Sequence, residues 1–236
     1  MNHISELKKH KSQQDQKAFN AVLDRFLPGL QRYIRHRIKT AEAKHLLPVN
    51  FYDATDVLAE VYLRIYDKMN EIEDEKGLKI QMFRLADEII EEYIRKEKPG
   101  HKRLPVDKLL AEELKMMREV ENLTVDADGE IMLVDELDDI SYHQDEFKPK
   151  VFLFDKDAEK DFARALNLSE ADFNEERFRN VFGSIYAQLP DTVRRILDLV
   201  SIGGLTAEEA AGVLNISVGE VNEALEGIKM QIDKNR

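Results

Sequence analysis

Apolar residues recur every three or four positions along the first hundred residues of this chain, which is the spacing of one buried helical face. The pattern predicts helices at about 19–27, 30–38, 52–68 and 78–98. Pro99 and Gly100 follow the last of these and are typical of a helix end. Four cations are predicted on the solvent face of the second helix, namely Arg32, Arg35, Arg37 and Lys39.

Three further helices are predicted near the C-terminus, at 191–200, at 206–214 and from 217 to about 232. Thr206 is followed three residues later by Glu209, and Ser217 is followed in the same way by Glu220. Both pairs have the form of a capping box, in which a hydroxyl and a carboxylate satisfy the first backbone N–H groups of a helix. With Asn215-Ile216 as the turn, the last two helices have the spacing of a helix-turn-helix.

The segment 106–184 gives weaker signals. Helices are predicted at about 109–120 and 169–186, and the apolar runs 131–134 and 151–154 are interpreted as short strands or docking segments. The acidic residues of 126–146 are typical of a solvated linker, and the alternative is that they cover a basic face of the same chain.

Composition limits the functional classes. The net charge is −12, with 35% charged and 43% hydrophobic residues, and most of the negative charge lies in 106–184. The absence of cysteine excludes disulfides and thiolate metal sites. The scattered histidines predict no metal centre, and we expect no cofactor and no enzymatic activity, since no catalytic motif is present. No apolar run is long enough to span a bilayer and the first residues lack an apolar signal segment, so a cytoplasmic protein is expected.

These patterns predict an all-α fold: two helical domains joined by an acidic, partly structured segment. The predicted bounds are 1–105 for the first helical domain, 106–184 for the linker and 185–236 for the helix-turn-helix domain.

The C-terminal motif resembles region 4 of sigma-70-type transcription initiation factors, specifically the extracytoplasmic-function group. The matching segments are Leu189-Pro190, Arg194, Gly204-Leu205-Thr206, Glu208-Glu209-Ala210-Ala211, Leu214-Asn215-Ile216-Ser217 and Val221. The N-terminal part is similar to region 2 of the same group. Its matching segments are 52–66, with the Asp-Ala-x-Asp motif at 53–56, then Phe83-Arg84-Leu85-Ala86 and 92–96. The match covers roughly 19–98 and 185–232, in the family's order.

The resemblance implies three sets of contacts. Binding to the clamp helices of core RNA polymerase is implied for Asp53, Asp56, Glu60 and Arg64. Contact with the −10 element of promoter DNA is implied for Arg84, Arg95, Lys96 and Lys98, with Lys102 and Arg103 as further cations. Contact with the −35 element through the recognition helix is implied for Ser217, Val218, Gly219, Glu220, Asn222 and Glu223. An anti-sigma factor that covers these faces is an expected partner.

The leading hypothesis is a sigma factor-like transcription initiation protein. The acidic side chains of the recognition helix, Glu220, Glu223 and Glu226, favour an alternative, because they repel DNA phosphates. In that alternative, the chain is a sigma-like decoy or adaptor that binds an anti-sigma factor or another protein and has lost promoter binding. A helix-turn-helix repressor with an unrelated helical domain is a third possibility. Tyrosines at 33, 52, 62, 66 and 93 are interpreted mostly as core residues, with base stacking as the alternative.

Overall fold

The computed structural model describes residues 3–98, 106–119, 123–125, 131–133, 156–169 and 171–235. Within these residues the chain forms eleven α-helices and one antiparallel pair of strands. The helices are α1 (His3–Ser12), α2 (Gln16–Leu23), α3 (Leu27–Ala43), α4 (Ala54–Lys68), α5 (Glu75–Glu97), α6 (Val106–Glu119), α7 (Lys156–Ala165), α8 (Glu176–Gln188), α9 (Asp191–Val200), α10 (Ala207–Leu214) and α11 (Val218–Lys234).

The strand β1 (Leu123–Val125) pairs with β2 (Ile131–Leu133), and Leu123 lies opposite Leu133. The prediction of a helical protein is therefore confirmed, and β2 lies at one of the two places where a short strand was considered. The other apolar run, 151–154, lies outside the described residues, as does the acidic segment 126–146 apart from β2.

Two compact units are present. The first comprises Met1–Leu104 and Ile202–Asn215, and the second comprises Pro105–Ser201 and Ile216–Arg236. The predicted domain boundaries at residues 105 and 184 stay a prediction. In the structure α10 groups with the first unit, whereas α9 and α11, its neighbours in the chain, group with the second.

The core of the first unit lies among α3, α4 and α5. Leu30, Tyr33 and Ile34 of α3 are fully buried, as their spacing predicts, and so are Val57 and Val61 of α4. The predicted N-cap of α4 is confirmed, because a carboxylate oxygen of Asp53 accepts the backbone N–H of Thr55 at 2.7 Å. The cap thus fixes the start of α4, and its apolar residues bury one side of the helix.

Arg37 corrects one sequence prediction. Its guanidinium is buried rather than solvent-facing, with Nε 3.4 Å from Asp87 Oδ1 and Nη2 3.5 Å from Glu91 Oε1. The hydroxyl of Tyr33 donates to the same Asp87 oxygen at 2.8 Å. The prediction was wrong because it classed Arg37 by its charge, whereas two carboxylates of α5 compensate that charge inside the unit.

The second unit packs α6, α7, α8, α9 and α11 around aromatic side chains. Phe162 and Phe182 are buried with ring centroids 5.1 Å apart, and Tyr186 lies 5.6 Å from Phe162. The side chain of Arg194 is fully buried, and its Nη2 donates to the carbonyl of Leu189 at 2.9 Å.

The predicted continuous helix over 169–186 is wrong at its start. A short 3-10 turn, Asp172–Asn174, comes first, Glu175 is extended, and α8 begins at Glu176. The break allows Phe173 to contact Phe178 edge-on at 5.0 Å and Phe182 at 5.2 Å. Aromatic packing in the core thus overrides the local helical periodicity here.

Both predicted capping boxes are confirmed. The hydroxyl of Thr206 accepts the N–H of Glu209 at 3.2 Å, and the Glu209 carboxylate accepts the N–H of Thr206 at 2.9 Å. Ser217 and Glu220 exchange the equivalent hydrogen bonds at the start of α11. Asn215 ends α10 in the left-handed conformation, with φ of 57°, which Asn tolerates better than most residues. Among the described residues, no helix is both long enough and apolar enough to cross a membrane.

Candidate functional site

The start of α4 presents the acidic residues for which the resemblance implies polymerase binding. Asp53 and Asp56 are exposed, and neither forms an ion pair with another described residue. The hydrogen bond from the Thr55 backbone N–H holds the pKa of Asp53 below its usual range, so this carboxylate is charged at neutral pH. The helix start thus carries two accessible negative charges.

Arg64 is engaged within the first unit. Its Nε donates to Glu60 Oε1 at 3.0 Å, and its two terminal nitrogens donate to the Glu92 carboxylate at 3.1 and 2.8 Å. The bidentate contact lowers the pKa of Glu92 and raises that of Arg64. Of the four residues predicted to bind polymerase, Asp53 and Asp56 are therefore the accessible pair, while Arg64 links α4 to Glu92 of α5 and Glu60 pairs with Arg64 within α4.

Leu63 lies on the same side of α4 as Asp56 and Glu60, since these positions are spaced by four and three residues. Leu63 is apolar, yet its side chain is 52% exposed. We call Asp53, Asp56, Glu60 and Leu63 the acidic face of α4. Phe51, just before this helix, is 71% exposed. The exposure of these two apolar side chains was not predicted, because a spacing of three or four residues marks apolar positions without showing which of them the fold buries.

Tyr33 is a core residue, as predicted, but Tyr52 and Tyr93 are only half-buried. Their rings stack with centroids 4.4 Å apart, and Lys96 Nζ lies 5.5 Å from the Tyr93 ring centroid. The Tyr52 hydroxyl donates to Glu97 at 2.7 Å, and this bond, together with burial, raises the pKa of Tyr52 to about 12. The pair forms a partly exposed aromatic surface beside the C-terminal end of α5.

The cations predicted to contact the −10 element fall into two groups. Arg95, Lys96 and Lys98 are exposed at the end of α5. Arg84 is instead half-buried, and its guanidinium donates to the carbonyls of Gly212 and Val213 at the C-terminal end of α10. Lys102 and Arg103 lie outside the described residues.

Three further contacts, which the sequence did not predict, hold the segment 202–215 on α3 and α5. Lys79 Nζ lies 2.8 Å from a Glu209 carboxylate oxygen. A β-carbon added to Gly212 would lie 2.8 Å from Ile80 Cδ1. A β-carbon added to Gly29 would collide with the carbonyl oxygen of Gly203. No local pattern reveals such pairs, because their partners are more than a hundred residues apart in the chain.

The predicted recognition helix, α11, has an acidic outer face. Val221, Ala224 and Ile228 are buried, while Gly219, Asn222, Glu223, Glu226 and Met230 are exposed. Ser217 and Glu220 are occupied with the capping box, and Val218 is 36% exposed. The residues predicted to contact the −35 element therefore lie on one helix start, with carboxylates and no exposed cation among them.

A cavity of about 320 Å³ lies at the start of α5 in the first unit. Its lining includes Ile72 and Ile80, the acidic residues Glu71, Glu73 and Asp74, and the cations Lys68 and Arg84. The mixed lining suits a group that offers both a hydrogen-bond donor and an apolar surface.

No family model, no curated protein and no solved structure matches this chain.

Proposed function

We propose that this chain is a sigma factor-like transcription initiation protein that binds core RNA polymerase through the acidic face of α4. The observation that carries the proposal is the accessible charge of Asp53 and Asp56, together with the 52% exposed side chain of Leu63 on the same side of the helix. A partner helix that carries both cations and apolar side chains would complement this surface.

Promoter contact is the second part of this proposal. Arg95, Lys96 and Lys98 are exposed at the end of α5, beside the stacked rings of Tyr52 and Tyr93. Cations that neutralise phosphates beside aromatic rings that stack on bases are the usual means of holding single-stranded nucleic acid. We therefore assign the melted −10 strand to this end of the first unit.

Capture of core RNA polymerase from purified enzyme tests the proposal. Replacing Asp53→Lys together with Asp56→Lys reverses both accessible charges, and we expect capture to weaken at least tenfold. The matched control is Glu175→Lys with Glu176→Lys, which makes the same charge change at the exposed start of α8. The control should bind polymerase as well as the unaltered chain does.

Asp53→Asn separates the charge from the cap, because Asn caps a helix about as well as Asp does. We expect Asn at this position to keep the fold and to lose part of the polymerase affinity. The proposal fails if the unaltered chain does not capture core enzyme, or if the double Lys variant captures it equally well.

The outer face of α11 favours a second candidate function, a sigma-like adaptor or decoy that binds an anti-sigma factor or another protein. Glu223 and Glu226 are exposed there, and carboxylates repel the phosphates of a duplex while a protein surface accommodates them. Glu223→Lys with Glu226→Lys avoids the capping box and should strengthen duplex binding if α11 faces DNA. Binding of a purified anti-sigma factor by a chain that ignores core enzyme would establish this second candidate.

A further inference from the structure

The position of α10 in the chain differs from its position in the fold. The helices on either side of it in the chain, α9 and α11, belong to the second unit, whereas α10 packs on α5 of the first. Within the first unit, α10 occupies a surface that the rest of the unit would otherwise leave open.

The groups that α10 presents to α5 resemble the oxygens of an anionic ligand. Lys79 pairs with the carboxylate of Glu209 at 2.8 Å. Arg84 binds two backbone carbonyls, those of Gly212 and Val213, at the C-terminal end of α10, where the helix dipole is negative. Oxygen atoms of the chain itself thus occupy two cations of α5, a carboxylate for Lys79 and backbone carbonyls for Arg84.

Arg84 also shares a side of α5 with an exposed cation. Eleven residues separate Arg84 from Arg95, which corresponds to about three helical turns. The two guanidinium groups therefore project from the same side of the helix, and the stacked Tyr52 and Tyr93 rings lie near the Arg95 end. This alignment matches a single nucleic-acid strand running along α5.

We propose that α10 is a cover in cis over an anion-binding face of α5 formed by Lys79 and Arg84, and that the ligand of this face is single-stranded nucleic acid. The inference rests on the proposed function, since it concerns control of the same −10 surface. In the closed state α10 is docked on α5, and its oxygen atoms contact Lys79 and Arg84. In the open state α10 is released, and phosphate oxygens of the strand contact the same two side chains. Glu209 adds a repulsive charge against any strand that approaches.

The closed state should dominate when no ligand is present. Ala210, Ala211, Val213 and Leu214 are all buried in it, and release of α10 would expose them to water. A ligand must therefore bind the open state more tightly in order to shift the balance. Opening frees two cations, so the open state should bind a strand with a steeper dependence on salt, by a slope of about 1.4 in log K against log salt.

An engineered disulfide locks the cover. The chain contains no cysteine, so Ile80→Cys with Gly212→Cys introduces the only thiols. A β-carbon at 212 would lie 3.4 and 3.5 Å from the two γ-carbons of Ile80, each of which is one bond from the Ile80 β-carbon. The two β-carbons are thus within the reach of a disulfide. Ile80→Cys alone, treated with the same oxidant, is the control.

Gly212→Leu opens the cover without changing charge, because the new side chain collides with Ile80. Gly227→Leu is its matched control, since a β-carbon at 227 makes an ordinary contact, 3.7 Å from Met117 Cε, and residue 227 belongs to no predicted binding site. The probe for every variant is a fluorescein-labelled 20-nucleotide single-stranded DNA, with anisotropy measured at several salt concentrations.

We expect the oxidised double-cysteine variant to bind the probe at least tenfold more weakly than the same protein after reduction. We expect Gly212→Leu to bind more tightly than Gly227→Leu, with a steeper salt slope. Equal affinity of the oxidised and reduced forms overturns the proposal. So does failure of Gly212→Leu to bind, because then α10 covers no binding face. Polymerase capture through α4 is measured separately, so either idea can fail while the other stands.

Discussion

The helices α10 and α11 start with the same local chemistry and end in different surroundings. Each begins with a hydroxyl N-cap and a glutamate three residues later, and each box is complete. Yet α10 is held by an ion pair and by close contact with α5, whereas α11 buries one stripe and leaves an acidic face in solvent. Identical start signals therefore say where a helix begins and nothing about which surface it contacts.

The glycines of the two helices show the same difference. A β-carbon on Gly212 of α10 would press against Ile80, while one on Gly227 of α11 would make an ordinary contact, 3.7 Å from Met117 Cε. Glycine inside a helix lowers helix stability by about 1 kcal/mol relative to alanine. The structure gives a packing reason for the glycine in α10 and none for the one in α11.

The largest expected effect comes from the close approach before α10. In Gly29→Ala the new methyl group collides with the backbone carbonyl of Gly203, which cannot rotate away as a side chain can. We expect a net loss of about 2 kcal/mol in the free energy of unfolding, measured by urea denaturation. Gly219→Ala is the control, and a neutral Gly29→Ala would show that the segment 202–215 is not seated as described.

The two capping boxes should contribute about equally. Thr206→Ala and Ser217→Ala each remove a hydroxyl that accepts a backbone N–H at the helix start. We expect each to lower the free energy of unfolding by about 1 kcal/mol. A loss at one position only would mean that the other helix start is stabilised by its packing instead.

Alanine at the two helical glycines should have different outcomes. Gly227→Ala has room for its methyl group, and we expect a gain of about 0.5–1 kcal/mol from helix propensity. Gly212→Ala must displace the Ile80 δ-carbon, which offsets that gain. Thermal unfolding of both variants measures the difference, and equal gains would contradict the close contact of α10 with α5.

The smallest effect concerns the ion pair between α5 and α10. A double-mutant cycle with Lys79→Ala and Glu209→Ala isolates the pair from the capping bond that Glu209 also makes. Both side chains are partly exposed, so we expect a coupling of about 0.5 kcal/mol that weakens in high salt. Coupling that is zero at low salt would argue against docking of α10 in solution.

Much of the helical framework was predictable, because its signals are local. The bounds of α4, α6, α9, α10 and α11 agree with the predicted segments to within a few residues, and the caps at Asp53, Thr206 and Ser217 are confirmed. The predictions failed where a side chain was classified by its type alone, without knowledge of the residues that it contacts. Arg37 is buried beside Asp87 and Glu91, and Phe173 interrupts the helix predicted at 169–186.

The start of α9 shows why local signals were insufficient. Its N-cap, Pro190, has no side-chain acceptor. The buried Glu113 of α6 supplies one instead, accepting the N–H groups of Thr192 and Val193 at 3.4 and 3.2 Å. Burial raises the pKa of this carboxyl, against the opposing effect of the hydrogen bonds. The sequence around Pro190 gives no indication of this contact, because Glu113 lies nearly eighty residues away in the chain.

By itself, the sequence determined where helices begin, which of their sides are apolar, and the acidic character of the exposed faces of α4 and α11. These properties depend on atoms within one or two helical turns of each other. Only the tertiary structure decided that α10 docks on α5, that Arg84 binds carbonyls of α10, and that Asp53 and Asp56 remain accessible. Those outcomes depend on pairs of residues far apart in the chain, whose mutual fit exists only after the helices have packed.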